Sequence, residues 1–354
     1  MLYRLSYGLA QGARSNPPLQ ADMGHPSGAE ELRPRPSRAE ARVQARIAPN
    51  CPWLCALFPR LAIALILADL ALPWIVLMYV AAMDAPARNT GQIKLYGPDA
   101  FVGMRKAGHV AAACLDMLVS EVKDGVSTRH LDDLAREFVL DHGAIPACIF
   151  YRGYNHTICT SLNHVVCHGI PGERPLRNGD MVNIDVTVIH DGWHGDTSRM
   201  YSVGEMKRRA LRLMDVTHEA MMRGIQMIKP GITTGAIGAA IQEFAEAQRC
   251  SVVRDFCGHG LGRVFHDAPN ILHFGRPNEG VELKPGMLFT VEPMINLGSS
   301  AVKVLNDGWT AVTKDKQLSA QYEHSIGVTE TGFEIFTLSP AGLHTPHSLA
   351  QTAP

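Results

Sequence analysis

The chain has 354 residues, of which 46% are hydrophobic and 19% charged, so it can bury a full core and is neither disordered nor collagen-like. Lys and Arg total 33 against 34 for Asp and Glu, which leaves no basic excess for phosphates and disfavours direct, sequence-specific nucleic-acid binding. Eight cysteines without a C-x-x-C pair are too few for a disulfide scaffold and predict reduced thiols in a cytoplasmic protein.

The first 83 residues differ in composition from the rest of the chain. They contain eight Arg and no Lys, and they end in an apolar run over 61–83 that is interrupted by Asp69 and Pro73. This run is either a membrane anchor or targeting segment, or upstream sequence carried into the chain ahead of a working start at Met83. We favour the second interpretation, because the leader shows no sustained periodicity. A membrane-tethered form therefore depends on 61–83 being a true anchor.

After residue 83 the sequence changes between helical and extended patterns. Apolar residues at spacings of three and four predict helices, alternation of apolar and polar residues predicts strands, and Ser127 suits the N-cap of the second helix. The predicted helices cover 98–122, 127–141, 207–228 and 233–248, and the predicted strands cover 182–189, 193–202, 287–295 and 323–329. A helix pair followed by strands, twice over, predicts an α+β domain of two similar halves around one sheet.

The segment 182–202 predicts a hairpin that gathers two carboxylates. If Asp191 and Gly192 form a two-residue turn, Thr187 lies opposite Asp196 and residue 185, also an aspartate, lies opposite residue 198. Asp185 and Asp196 then share one face of the sheet. Two carboxylates about 4 Å apart repel by about 4 kcal/mol at an effective dielectric of about 20, so a proton or a cation is needed between them.

Three other segments offer further metal ligands. His259 lies between two glycines, Glu292 lies within an apolar stretch that we predict as one strand, and Glu323 begins another strand. A carboxylate in an apolar strand costs several kcal/mol unless it is paired or metal-bound. Together with the two aspartates these residues make four carboxylates and one imidazole, which two divalent cations would balance in charge. Such ligands suit Mn(II), Fe(II), Co(II) or Zn(II) and metal-assisted hydrolysis.

From about residue 96 to 337 the chain resembles the type I methionine aminopeptidases. The resemblance is carried, in order, by VVCHGIP, VNIDVTV, HGDTSRMY, CGHGLGRVFH, FTVEPM and SAQYEHSI. It implies the pita-bread fold, in which two pseudo-symmetric α-β halves surround a curved antiparallel sheet, with a catalytic domain over 84–337 and a tail over 338–354. It also implies removal of the initiator methionine from nascent polypeptides by dimetal-assisted hydrolysis with a bridging hydroxide.

The resemblance assigns a role to each candidate ligand. It implies that Asp185 binds one metal through both oxygens, that Asp196 and Glu323 bridge the two metals, and that His259 and Glu292 complete the shell of the other.

Three residues receive catalytic roles from the same resemblance. Glu292 is implied to act as general base, His168 to lie near the scissile amide, and His266 to stabilise the oxyanion.

A pocket for methionine should be apolar and lined with sulfur or aromatic groups. The segment 147–159 supplies candidates for its walls, and the resemblance adds two more; the set is Cys148, Tyr151, Tyr154, Cys159, Phe265 and Trp309. Arg152 stands where we expect a histidine in the family, which puts one contact at the pocket rim in doubt.

Two rival functions stay open at this point, and a third mechanism, a thiol nucleophile, is rejected. An Xaa-Pro aminopeptidase or prolidase would share the five ligands, and a non-catalytic relative would bind ribosomes or other partners. A thiol nucleophile at Cys167 with His168 as base is rejected, because neighbours in an extended strand point to opposite faces. The expected partners are nascent polypeptide N-termini at the ribosome, and we expect a monomer.

Overall fold

Four α-helices and fifteen β-strands make up the part of the chain that the computed structural model describes, residues 91–343 together with 345 and 346. The helices are α1 (Pro98–Leu118), α2 (Thr128–Asp141), α3 (Arg208–Gln226) and α4 (Thr234–Ala247). The predicted leader over 1–83, with its apolar run over 61–83, lies outside the described residues. The division into a catalytic domain over 84–337 and a tail over 338–354 stays a prediction.

The strands follow in chain order, with short connections between most of them. They are β1 (Ile145–Pro146), β2 (Ile158–Leu162), β3 (Val165–Cys167), β4 (Met181–His190), β5 (Trp193–Ser202), β6 (Ser251–Val252), β7 (Gly258–Gly260), β8 (Asp267–Ile271), β9 (Leu288–Val291), β10 (Met294–Asn296), β11 (Val302–Val304), β12 (Ala311–Thr313), β13 (Ser319–Gln321), β14 (His324–Val328) and β15 (Phe333–Ile335). A 3-10 turn, Tyr151–Gly153, lies between β1 and β2.

The helix ends follow local backbone chemistry. Pro98 occupies the first turn of α1, where its missing N–H costs nothing, and the side chain of Ser127 accepts a hydrogen bond from the backbone N–H of His130 at the start of α2. The predicted cap is therefore confirmed. The prediction that the first helix reaches residue 122 is wrong, because the N–H of Val119 turns to the carbonyl of Asp116 and the helix tightens into turns.

All paired strands are antiparallel, and two sheets carry most of the structure. In the first, β4 pairs with β1, β2 and β5; in the second, the order is β15-β14-β9-β7-β8. The smaller sheets have the orders β13-β10-β6 and β11-β12-β3. Helix pairs that alternate with antiparallel strands confirm the predicted α+β class.

The predicted strand over 287–295 is two strands, and this part of the prediction is wrong. The pairing changes between Val291 and Met294, since β9 lies in the five-stranded sheet and β10 pairs with β13 and β6. Pro293 has no N–H to donate to a ladder, so the strand ends there and Glu292 lies in the break. The last predicted strand begins at His324, one residue after Glu323.

The domain has two halves, the first from α1 to β5 and the second from α3 to β15, and each half has its own hydrophobic core. In the first half, Leu115 of α1 and Leu131 of α2 pack with Ile184 of β4. In the second half, Leu213 of α3 and Ile241 of α4 lie in one buried cluster that also contains residues of β9 and β14. Among the described residues, no helix is both long and apolar enough to cross a membrane.

Candidate metal centre and substrate pocket

The hairpin β4–β5 brings the two predicted aspartates together. Its register pairs Asp185 with Ser198 and Thr187 with Asp196, as the Asp-Gly turn predicts. The hydroxyl of Thr187 donates a 2.7 Å hydrogen bond to Oδ1 of Asp196, which fixes the direction of that carboxylate. Both aspartates face the same cavity. The hairpin therefore supplies two candidate oxygen ligands from one element.

The second half supplies the other three predicted ligands. His259 lies in β7, Glu292 in the break between β9 and β10, and Glu323 just before β14. Each of Asp196, His259 and Glu323 offers one ligand atom, and these atoms lie within 4.8 Å of one another. Nε2 of His259 is 3.6 Å from a carboxylate oxygen of Asp196 and 3.6 Å from one of Glu292. With Asp185, all five predicted ligands line one cavity.

The cluster is electrostatically unfavourable without a cation. Burial and the neighbouring carboxylates raise the pKa of Asp185 and of Glu323 well above the usual range of a carboxyl. Burial, opposed by His259 and assisted by Asp196, raises the pKa of Glu292 to about 7. In addition, Oδ1 of Asp185 is buried without a hydrogen-bond partner. An unpartnered oxygen among crowded carboxylates is what a bound divalent cation would satisfy, so the residues fit a metal site.

The ring of His259 is oriented so that its Nε2 can bind a cation. Its Nδ1 lies 3.1 Å from the carbonyl oxygen of Gly260, and this contact favours the tautomer with the proton on Nδ1. The lone pair of Nε2 then points at Asp196 and Glu292. Burial lowers the pKa of His259, but the hydrogen bond and charge of Asp196 and the charge of Glu292 outweigh it, so the pKa is raised. A cation bound at Nε2 would take the place of the proton that these carboxylates favour there.

Three neighbours hold Glu292 in position. The hydroxyl of Thr290 donates to Oε1 at 2.8 Å, and the side-chain amide of Gln321 donates to Oε2 at 3.3 Å. The backbone N–H of Glu292, released from the strand ladder, donates to Nε2 of the fully buried His273 at 3.1 Å. The break in the strand is thus stabilised by specific hydrogen bonds.

All thirteen residues predicted for the site line the cavity, including the six predicted wall residues. The ring centroids of Tyr154 and Trp309 are 4.9 Å apart, and so are those of Tyr151 and Phe265. The aromatic walls therefore contact one another in pairs.

Sequence reasoning missed five other lining residues, Cys167, Thr187, Phe256, Cys257 and Met294. Two of them had a signal in the sequence: Phe256 and Cys257 directly precede the Gly-His-Gly segment. His194 was missed as well; its ring stacks on Phe265 at 5.6 Å. Alternation along β5 places it on the face of Asp196 and could have found it.

The reason given above for rejecting a thiol dyad is wrong. His168 is not in the strand: β3 ends at Cys167, and His168 has a left-handed backbone with φ of 56°. Sγ of Cys167 lies 3.7 Å from Nδ1 of His168. Burial and the charges of Glu292 and Asp185 raise the pKa of this thiol well above its usual value. The thiol stays protonated, and this is the physical reason against a nucleophilic cysteine.

The second predicted catalytic histidine lies against the predicted metal ligands. The ring of His266 is 4.1 Å from the ring of His259 and stacks on Tyr151 at 5.1 Å. Burial, nearby histidines and Arg152 hold its pKa well below the usual value. Burial likewise lowers the pKa of His168 to about 4. Both rings are neutral at pH 7 and can donate a hydrogen bond from one nitrogen each.

Arg152 lies at the rim on a strained turn. Its backbone is left-handed, with φ of 50° and ψ of 31°, and its guanidinium carbon is 5.3 Å from the ring centroid of Tyr151. The side chain is exposed and does not line the cavity. The departure from the expected histidine therefore changes the rim and leaves the ligand set intact.

Comparison with known proteins gives consistent matches over the described domain. The family model described as metallopeptidase family M24 matches residues 102–330. A methionine aminopeptidase of Rickettsia prowazekii is 56% identical over 255 residues, which cover 72% of this chain and 98% of that protein. A methionine aminopeptidase of Escherichia coli strain K12 is 50% identical over 248 residues, which cover 70% of this chain and 94% of that protein.

Solved structures agree with these matches. The crystal structure of the Rickettsia prowazekii methionine aminopeptidase superposes with a TM-score of 0.69 and covers 70% of this chain and 100% of that chain. A prolidase from Pyrococcus furiosus, only 19% identical, superposes with a TM-score of 0.55 over 69% of this chain and 65% of that one, which shows the shared fold alone. The chain therefore belongs to metallopeptidase family M24 and, within it, to the methionine aminopeptidases with their pita-bread fold.

Proposed function

We propose that this chain removes the N-terminal methionine from polypeptides by hydrolysis at a site that holds two divalent cations. The observation that carries the proposal is the convergence of four carboxylates and one imidazole beside a cavity lined with sulfur and aromatic side chains. Relatives that are 50% and 56% identical are named for the same activity.

The ligand set supports two cations rather than one. Asp185, Asp196, Glu292 and Glu323 carry four formal negative charges when ionised, and two divalent cations would balance them, with His259 as the single nitrogen ligand. Oxygen-rich ligation of this kind suits Mn(II), Fe(II), Co(II) or Zn(II). Bound divalent cations polarise a carbonyl and lower the pKa of water, which supplies hydrolytic chemistry near neutral pH.

Glu292 is suited to move a proton during hydrolysis. Its pKa is raised to about 7 in the metal-free protein, and bound cations would lower it, so the carboxylate would be ionised and able to accept a proton at neutral pH. Thr290 and Gln321 each hold one of its oxygens, so the carboxylate keeps its direction while it accepts the proton of the attacking water.

His168 and His266 are suited to hold the substrate carbonyl and amide. Both line the cavity, and burial keeps both rings neutral at pH 7. A neutral imidazole can donate one N–H to a developing oxyanion or accept one from an amide. His266, next to His259, is the candidate for the oxyanion.

The cavity walls favour an unbranched thioether. Cys148 and Cys159 are buried together with Tyr154, and Phe265 and Trp309 pack against them. Sulfur and aromatic surfaces contact a methionine side chain favourably and offer no charge to a polar one. Nascent polypeptide N-termini are therefore the proposed substrates, while action at the ribosome, a monomeric state and a cytoplasmic location stay predictions.

The test combines metal analysis with peptide hydrolysis. The full chain is stripped with a chelator, dialysed, and titrated with Mn²⁺; methionine release from Met-Gly-Met and glycine release from a Gly-Pro peptide are then measured. We expect about two Mn²⁺ per chain, release from Met-Gly-Met, and none from the Gly-Pro peptide. The Asp185→Ala variant should lose both metal and activity, whereas Asp133→Asn, on the exposed face of α2, should keep both.

Other outcomes identify the rivals. Preferred cleavage of the Gly-Pro peptide would support an Xaa-Pro peptidase. Full metal content without any hydrolysis would support a non-catalytic binding protein, and two metals with full activity in Asp185→Ala would overturn the ligand assignment.

A further inference from the structure

A buried carboxylate on α2 lies outside the cavity and outside the proposed metal site. Asp132 is 0% exposed and does not line the cavity. A fully buried aspartate is rare unless its oxygens are engaged, so its partners show what it does.

The partners of Asp132 are the backbone at the start of β2. Its Oδ1 accepts hydrogen bonds from the N–H of Thr157 at 2.7 Å and of Ile158 at 3.0 Å. Its Oδ2 lies 3.3 Å from Nδ1 of His156 and 3.7 Å from a guanidinium nitrogen of Arg136. Hydrogen bonds to an ionised carboxylate are about twice as strong as neutral ones, so this contact fixes the loop before β2 firmly to α2.

The backbone that Asp132 holds carries two walls of the cavity. Cys159 follows Ile158 directly and is the Cα partner of Asp185 in the sheet. On the other side, the hydroxyl of Tyr154 donates to the carbonyl of Ile158 at 2.9 Å. The ring of Tyr154 packs on Trp309. A shift of Ile158 would therefore move both Cys159 and Tyr154.

We propose that Asp132 is a positioning residue that sets the shape of the pocket for the substrate's first side chain. It acts through the amides of Thr157 and Ile158, which hold Tyr154 and Cys159 at the width that an unbranched side chain requires. The inference rests on the proposed aminopeptidase function and adds the residue that controls its selectivity. Asp132 does not line the cavity, so we expect its loss to change the fit of the pocket while the hydrolytic groups stay in place.

The test compares selectivity in two variants. The ratio of kcat/KM for Met-Gly-Met to that for Leu-Gly-Met is measured with Mn²⁺ for the wild type, Asp132→Ala and Asp132→Asn. We expect Asp132→Ala to lower this ratio about tenfold, mainly through a higher KM for Met-Gly-Met. The reason is that the amides of Thr157 and Ile158 lose their acceptor. Asn keeps one oxygen acceptor without the charge, so Asp132→Asn should lower the ratio only about threefold.

A matched control separates positioning from general stability. Asp116 of α1 is also largely buried and also multiply bonded, to Arg199 at 2.8 Å and to Ser339 at 2.8 Å, but it does not line the cavity. Asp116→Ala should lower the melting temperature and leave the selectivity ratio unchanged, since partial unfolding removes active enzyme for both peptides equally. The Mn²⁺ content should be the same in all variants.

Each result has one meaning. If the wild type releases no methionine, the proposed function fails. If the wild type is selective and both Asp132 variants keep its ratio, the function stands and the role of Asp132 is wrong. If Asp132→Ala does not fold, the ratio in Asp132→Asn decides alone.

Discussion

The carboxyl groups of Asp185, Glu292 and Glu323 lie together in the cavity, where Glu323 is buried and the other two are partly buried, and this sets how pH acts on the metal-free protein. Glu292 has an unfolded-state pKa of about 4.5 and a folded-state pKa of about 7. Because the folded pKa is raised, the stability linked to this group is present below pH 4.5 and is lost as the pH rises through 7. The pKa values of Asp185 and Glu323 are also raised, so these two groups act in the same direction.

The first prediction is that stabilisation by Mn²⁺ grows with pH. The cation takes the place of protons on these carboxyls and on His259, so binding releases protons and strengthens as the pH rises. The increase in melting temperature caused by Mn²⁺ should be larger at pH 8 than at pH 6, measured by calorimetry against chelated protein. The titration of buried histidines that the cation does not contact, such as His273, affects the melting temperature with and without Mn²⁺, so its effect cancels in the difference. An increase that is constant or shrinks with pH would contradict it.

The second prediction separates His168 from the metal ligands. This ring is neutral because burial lowers its pKa to about 4, and it lines the cavity. His168→Ala should reduce kcat for Met-Gly-Met about 10²- to 10³-fold and leave the Mn²⁺ content unchanged. His109→Ala, at an exposed position of α1, is the control and should alter neither quantity. Loss of metal from His168→Ala would instead make His168 part of the metal site.

At the scale of single residues, chemical type was easier to predict than backbone conformation. Glu292 stood out because an acid within an apolar segment needs a partner, and Asp185 and Asp196 stood out because the predicted hairpin brings them together. The position of His168 could not be predicted, since strand alternation assumes extended backbone and this residue adopts φ of 56°. Cys167 was rejected as a nucleophile for a wrong geometric reason, although its burial gives a sound one.

At the scale of elements, the register of the hairpin β4–β5 could be predicted to the residue. A period of two fixes which side chains share a face, and the Asp191-Gly192 turn fixes the register. The break at Glu292 was missed although Pro293 signals it locally, since a proline has no N–H to donate to a strand ladder. The change of partner strands between β9 and β10 is a long-range feature and could not be predicted from the local pattern.

The third prediction concerns the contact of β5 with α1. A Cβ added at Gly195 would lie 2.4 Å from backbone atoms of Ala107 and 2.6 Å from the backbone nitrogen of Gly108. Gly195→Ala should therefore lower the free energy of unfolding by about 3 kcal/mol, measured in urea. It should also weaken Mn²⁺ binding, since Asp196 is the next residue.

The control for this prediction is Gly332→Ala, where an added Cβ meets nothing within 4 Å. This variant should be as stable as the wild type. Equal stability of both variants would show that β5 can move away from α1 without loss of free energy of unfolding.

At the scale of the whole molecule, the two halves are joined at the proposed metal site. The hydroxyl of Ser325 donates to the carbonyl of Asp196 at 2.7 Å and accepts from its N–H at 3.1 Å. The hydroxyl of Thr197 donates to the carbonyl of Glu323 at 2.7 Å. The predicted ligands Asp196 and Glu323 are thus held by the opposite half, and each half positions a predicted ligand of the other. This arrangement needs the two halves to fold as one unit.

The fourth prediction tests that coupling through Ser325, which is 0% exposed. Ser325→Ala leaves the N–H and the carbonyl of Asp196 without these partners in a buried site. We expect the free energy of unfolding to fall by about 3 kcal/mol in urea, in one transition that involves both halves, and the affinity for Mn²⁺ to fall about tenfold. Ser120→Ala, at an exposed position after α1, should change neither. An unchanged Mn²⁺ affinity, or separate transitions for the two halves, would show that the metal site does not depend on the contact between them.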